Sequence, residues 1–178
     1  TSILSFSLFF SSKIGLIKEV SKTFPRQAFT FSSDRIDVPA EIERLVSRSL
    51  LTPQEGRSVN SRSIETFFSS DIFSRVKSSP LVFKERSFTI HKSVRDFDPS
   101  VPEEFSGEKA AVRGKIDLVF IEDGEAVIVD YKTDKISDVG SLIERYREQM
   151  EIYSEAVERA FGYRVKERLL YSLHKSAF

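Results

Sequence analysis

The sequence predicts an α/β domain in which helices precede a mixed β-sheet built in the order β-β-β-α-β. Three observations predict it. Two Val- and Ile-rich runs, VRGKIDLVFI and AVIVDYK, flank Asp123-Gly124, and a type I′ hairpin turn needs φ > 0 at both central positions. Tyr146, Met150, Tyr153, Val157 and Phe161 then recur at helical spacing, the stripe of a long amphipathic helix. VKERLLYSL comes last; a strand reached through a crossover helix pairs parallel, with a right-handed connection.

The elements follow in order. TSILSFSLFF lacks a basic n-region and a small-residue cleavage site and is too short to span a bilayer, so it reads as a buried helix or strand. Asp37 is an N-cap with Pro39 in the first turn, ahead of Ile42, Leu45, Val46 and Leu50 at helical spacing. Thr52-Pro53-Gln54-Glu55 is a capping-box pattern. Ser63 to Lys77 carries a wide apolar stripe through Ile64, Phe67, Phe68, Ile72, Phe73 and Val76 and reads as one helix. The character changes at Pro80. Leu81 to His91 alternates as a strand, Lys92 to Ala110 is a charged loop with two prolines, and the hairpin occupies about Ala111–Thr133. Ser141 and Glu144 make a capping box that opens the long helix, and Gly162 closes it. Residues 1–80 read as the helical part of one domain whose core is 81–178.

Composition removes several function classes. With 27 basic and 27 acidic residues the net charge is zero, so a DNA-binding surface must be a local patch. The absence of cysteine excludes disulfides, thiolate zinc sites, iron–sulfur clusters and cysteine nucleophiles, and fits a reducing cytoplasm. Two histidines, His91 and His174, both at strand positions, argue against a multi-histidine metal site. No G-x-x-x-x-G-K-[ST] phosphate loop occurs. The first residue is threonine, and the chain reads as a piece of a longer protein.

Folding the hairpin about Asp123-Gly124 pairs Glu122 with Glu125, Ile121 with Ala126 and Val119 with Ile128. Continued outward, that register sets Asp117 opposite Asp130 and Lys115 opposite Lys132. Directly opposed Cβ atoms lie about 4.5–5.5 Å apart, where like charges repel. Two readings of the acidic pair stand. The aspartates are exposed residues at the frayed end of a ribbon, or they flank a divalent cation, which takes carboxylate oxygens. Ala126, Ile128, Asp130 and Lys132 share a face, which makes the charged residues half-buried and favours the second.

Gly114-Lys115-Ile116-Asp117, then Asp130-Tyr131-Lys132, then Gln149-x-x-x-Tyr153 on a helix resemble the PD-(D/E)XK nuclease superfamily and its restriction-endonuclease-like fold. GKIDLVF, VDYKTDK and YREQMEIYSEAVERAFG are similar, in order and spacing, to the RecB-like C-terminal nuclease domains of AddA-type helicase–nuclease subunits. The resemblance covers about Leu81–Leu173. It implies that Asp117, Asp130 and the backbone carbonyl of Tyr131 bind Mg²⁺ or Mn²⁺, and that Lys132 orients or helps deprotonate the attacking water. Gln149 and Tyr153 match the family's accessory motif, and Glu85 matches an acidic residue bordering such sites. It also implies a DNA substrate, repair of double-strand ends, an AddB-like partner and a helicase outside this chain.

Plainer readings stand beside these. Tyr153 also lies on the apolar helix stripe, where it packs. Glu85 reads as an exposed or structural carboxylate. Arg113, Lys115, Lys135, Arg145 and Arg147 are a candidate phosphate track, or a solvated face. The family's early Gly-Thr-x-x-His segment, which helps bind metal, has no match here. That departure keeps open a metal-deficient module that binds DNA or protein without cutting; a stand-alone nuclease of the superfamily is the third reading.

Overall fold

The computed structural model describes residues 37–136 and 138–178. The expectation for TSILSFSLFF therefore lies outside the described residues. Helix α1 (Val38–Ser47) starts at Asp37, whose Oδ1 accepts the Ala40 N–H at 3.0 Å. It ends before Leu50, which is exposed rather than part of an apolar stripe. In α2 (Pro53–Ser58) the capping box forms in both directions: Glu55 N–H donates to Thr52 Oγ1, and Thr52 N–H donates to Glu55 Oε2.

The single helix expected over 63–77 is instead two, α3 (Ser61–Phe68) and α4 (Asp71–Ser78). The break has a local cause. Ser70 Oγ accepts the Phe73 N–H at 3.2 Å and so caps a new helix; serine competes for backbone donors in this way. The apolar stripe survives the break because both helices press onto the same sheet.

That sheet has four strands in the order β1-β2-β3-β4. They are β1 (Val82–Ser93), β2 (Lys109–Glu122), β3 (Glu125–Lys132) and β4 (Val165–Ser172). The β1–β2 and β2–β3 pairings are antiparallel and β3–β4 is parallel, as the crossover requires. Asp123 and Gly124 both have positive φ (54° and 79°), the conformation of the expected turn. His174 follows β4 in a turn and is not a strand residue. The crossover helix α5 (Val139–Phe161) begins earlier than expected. Asp138, not Ser141, is its N-cap, with Oδ1 taking the Ser141 N–H at 2.9 Å. Gly162 closes it at φ 72°. Among the described residues no helix is long and apolar enough to cross a membrane.

Both faces of the sheet are covered. On one face α1, α3 and α4 bury Val38, Leu45, Ile64 and Phe67 against Leu118, Phe120, Val127, Val129, Tyr131 and Tyr171. The Phe67 ring meets those of Tyr131 and Tyr171 edge-on, each at 5.2 Å. On the other face α5 sets Met150, Tyr153, Ala156 and Val157 against Ile116, Val119, Ile121 and Ile128. Each such side chain stabilises the fold by about 1.5–3 kcal/mol if fully buried.

One irregularity positions the site. On β2, Val112 and Ile116 join the α5-side core, but so do Val119 and Ile121. On β1, Phe83 packs on that side, and so do Phe88 and Ile90. An unbroken strand alternates faces with period two, so both strands exchange faces between these groups. They do so at one rung. Lys84 pairs with Leu118 and Arg86 with Ile116, leaving Glu85 and Asp117 opposite each other outside the regular pairing. Glu85 has φ +52° there, an uncommon conformation for a residue with a Cβ.

Candidate active site

The β2–β3 ladder follows the expected register from Glu122–Glu125 to Leu118–Val129 and then stops. The expected Asp117–Asp130 and Lys115–Lys132 rungs do not form. Instead Asp117 Oδ2 accepts the Tyr131 N–H at 3.1 Å, a side chain standing where the next main-chain bond would be. In an extended strand a residue's N–H and C=O point to the same edge, so the Tyr131 carbonyl also faces this gap. Beyond it β3 stays paired to β4, and Lys132 O accepts the Leu173 N–H at 2.8 Å.

Asp130 and Lys132 continue the face of Ile128, toward α5. Asp117, Asp130 and Lys132 are all buried. The Lys132 ammonium has three neighbours: Asp130 Oδ2 at 2.7 Å, Gln149 Oε1 at 2.8 Å, and the Tyr146 ring centroid at 3.6 Å. An ammonium only donates, which fixes Gln149 with its oxygen toward it. Gln149 Nε2 donates to Tyr153 Oη at 2.5 Å, and Tyr153 Oη donates to the Lys115 carbonyl at 3.0 Å. Tyr153 thus packs in the core, edge-on to Phe88, while its hydroxyl belongs to the Lys132 network.

The phenols report the local field. Burial raises the Tyr153 pKa, and the nearby charge of Asp130 adds to it. Burial also pushes Tyr131 well above its usual range, with Asp117, Asp130 and Glu85 contributing in turn. Tyr146 is pushed up to about 12 by burial and by its hydrogen bond to Asp134. All three therefore remain protonated donors at neutral pH.

Glu85 is largely buried and accepts Lys115 Nζ on Oε2 at 2.7 Å. The five candidate phosphate-binding cations are not gathered together. Arg113 and Arg145 rim a cavity of about 220 Å³ whose walls include Phe88, Tyr146, Gln149 and Tyr153. Lys115 is engaged by Glu85. Lys135 lies at a second cavity of about 100 Å³ with Asn60 and His174. Arg147 pairs with Glu144 in solvent. His91 is exposed well along β1, opposite Ala111. The residue that motif reasoning missed is Tyr146. Its signal was present: it lies three residues before Gln149 and seven before Tyr153, on their helix face.

Among the described residues no three His, Cys, Asp or Glu side chains form a metal-binding group. The donors at the gap are two carboxylates and a main-chain carbonyl, all oxygen. That set fits a small hard cation which keeps part of its water shell, as Mg²⁺ does, and does not suit a thiophilic metal.

A mixed sheet covered by helices on both faces, with an Asp…Asp-x-Lys cluster where its central hairpin opens, defines a nuclease fold of the PD-(D/E)XK type. The model of the PD-(D/E)XK nuclease superfamily matches residues 27–177, and the chain belongs to that superfamily. The match takes in α1–α4, so the likeness extends ahead of Leu81. The chain is 38% identical over 136 residues to the A subunit of an ATP-dependent helicase/nuclease from Thermoanaerobacter sp. (strain X514), covering 75% of this chain and 11% of the relative. It is 37% identical over 137 residues to the protein of that name from Alkaliphilus metalliredigens (76% and 11%). With the Clostridium kluyveri protein of that name it shares 33% over 139 residues (78% and 11%). The chain spans about a tenth of the length of the curated relatives it matches.

Proposed function

We propose that this chain is the divalent-metal-dependent DNA nuclease domain of an AddA/RecB-type helicase–nuclease. It hydrolyses phosphodiester bonds during processing of double-strand breaks, in the cytoplasm, beside an AddB-like partner. The reading rests on one observation: two buried aspartates flank the opening of the β2–β3 ladder, with the Lys132 ammonium 2.7 Å from the second. Asp117, Asp130 and the Tyr131 carbonyl would hold Mg²⁺ or Mn²⁺. When bound, such an ion supplies Lewis acidity and a water ionised at neutral pH. Lys132 stabilises negative charge on the phosphoryl oxygens, an electrostatic effect magnified in a buried site. Gln149, Tyr153 and Tyr146 keep that ammonium in place. The helices ahead of residue 81 we assign to the same domain as its core, 81–178, because α1, α3 and α4 share one apolar core with the sheet; the first 36 residues of the expected 1–80 part lie outside the described residues.

A non-cleaving module that binds DNA or a partner protein is the second reading. Lys132 already lies against Asp130, and among the described residues no histidine completes a metal-binding group with the aspartates. Calorimetric Mn²⁺ titration with cleavage of single-stranded DNA separates the two. The nuclease reading expects cleavage by the wild type and none by Asp130→Ala or Lys132→Ala, with metal affinity lost mainly in the aspartate variant. Wild-type protein that takes up no Mn²⁺ and leaves DNA intact supports the second reading. Helicase motifs upstream in the same gene would separate the domain from a stand-alone nuclease.

A further inference from the structure

The cavity between α5 and the far half of the β1–β2 ladder is not needed to hold an ion or to place Lys132. It nevertheless shares three walls with the Lys132 network, Tyr146, Gln149 and Tyr153. We propose that it receives one unstacked nucleobase of a single-stranded DNA substrate, beside the phosphate that Lys132 addresses. The inference rests on the nuclease reading and adds a base-binding subsite to it.

Shape and chemistry both support it. The cavity holds about 220 Å³ and is walled by the rings of Phe88 and Tyr146 and by the apolar side chains of Val112 and Ile152. Base–aromatic stacking tolerates any sequence, because every base has a π-face. A base inside a duplex cannot enter without first leaving its stack. Its charged lining residues, Arg113, Arg145 and Glu148, are all exposed; Arg113 can meet the backbone of a strand that enters there, while Arg145 is already paired with Asp134 at 2.9 Å. The charged lining residues thus lie at the surface and the apolar and aromatic ones further in, which suits a neutral base inside and its phosphate outside.

Gly114 is part of the construction. A Cβ there would lie 2.6 Å from the Phe88 ring, so the bare backbone is what lets that ring sit back against β2. A side chain at 114 would drive Phe88 into the cavity.

The test measures binding, not cleavage. A short oligothymidylate and a strand of the same length made of abasic sugars are titrated into the full chain in chelator, at one salt concentration, and followed by fluorescence anisotropy. Wild-type protein is expected to prefer the base-bearing strand by at least about fivefold, the least that one stacked base is worth. Phe88→Leu should bring that ratio close to one without changing affinity for the abasic strand, and Ile152→Glu should bring it close to one while its added negative charge weakens both strands. Arg113→Gln should weaken both strands by the same factor. Thermal unfolding verifies that each variant folds, and Phe88→Leu carries the test if the glutamate is not tolerated. Equal affinity of the wild type for the two strands overturns the proposal. So does binding to neither strand, or a base preference that survives in both pocket variants. Base-preferring binding without cleavage in Mn²⁺ overturns the nuclease reading and leaves the pocket standing; cleavage without base preference does the reverse.

Discussion

Asp117 and Tyr131 are joined side chain to main chain, the carboxylate taking the amide at the point where β2 and β3 part. This one bond lets a buried carboxylate close the ladder and border the gap at once. Replacing Asp117 by Asn keeps an acceptor for the amide and removes the charge. Replacing it by Ala leaves a buried N–H unsatisfied, a cost of about 1–3 kcal/mol. The Asp117→Asn protein is expected to keep near wild-type stability in urea, and the Asp117→Ala protein to be weaker by that amount. Mn²⁺ affinity should be lost in both. Calorimetry and denaturation on the same samples check it.

Lys132 and Asp130 form a buried ion pair, so removing the lysine has a structural cost as well as a chemical one. A buried pair broken from one side destabilises by about 3–5 kcal/mol. The Lys132→Ala protein should unfold at lower denaturant and retain Mn²⁺ binding. Its cleavage rate should fall by at least about a hundredfold, the size of a lost preorganised charge contact. A variant that loses metal and activity in parallel would instead make Lys132 a purely structural partner.

Glu85 keeps a left-handed backbone opposite Asp117 while paired to Lys115. Backbone strain of this kind persists where the surroundings impose it, commonly at functional sites. Glycine adopts positive φ without penalty. Glu85→Gly should therefore fold at least as stably as the wild type, gaining up to about 1 kcal/mol, while cleavage falls. A loss of stability with full activity would show that the carboxylate serves packing alone.

Acid sensitivity has a local source at the other end of the sheet. Arg75 donates two hydrogen bonds to Glu122, and Lys166 lies 2.7 Å from it. First through Arg75 and then through Lys166, the Glu122 pKa falls from 4.5 to about 2. The unfolded chain therefore binds this proton more readily than the folded one between those values. The contribution is fully present above pH 4.5 and is lost as pH falls toward 2. Stability curves of wild type and Glu122→Gln should keep a constant separation above pH 4.5 and converge as pH falls across that window.

Much of this was legible in the sequence, and the rest failed for identifiable reasons. Asp123-Gly124 announced its turn because few residues accept two positive φ angles in succession. The α3–α4 break was hidden because Ser69-Ser70 interrupts neither apolar period nor composition; only the Ser70 hydroxyl reveals it. Asp138 displaced Ser141 as cap because both are good caps three residues apart, and the folded chain uses the first. Asp117 and Asp130 were expected as a directly opposed pair, and the ladder ends one rung short of them. The face exchange could not be read at all. Leu118-Val119-Phe120-Ile121 is apolar on both sides, so past Asp117 alternation carries no sign of which side faces which helix.

That exchange also divides the sheet into two unlike parts. Toward the turn, β2 and β3 form a plank with a dry layer above and below. Beyond Glu85 and Asp117, Phe88, Ile90, Val112 and Ile116 stay covered on the α5 side while Ser87, Thr89, His91 and Arg113 are exposed. The proposed chemistry thus lies on a seam: a stiff anchor on one hand, an accessible apron for a polymer on the other. Lengthening either strand by a residue would shift the seam away from its acids while leaving every helix intact.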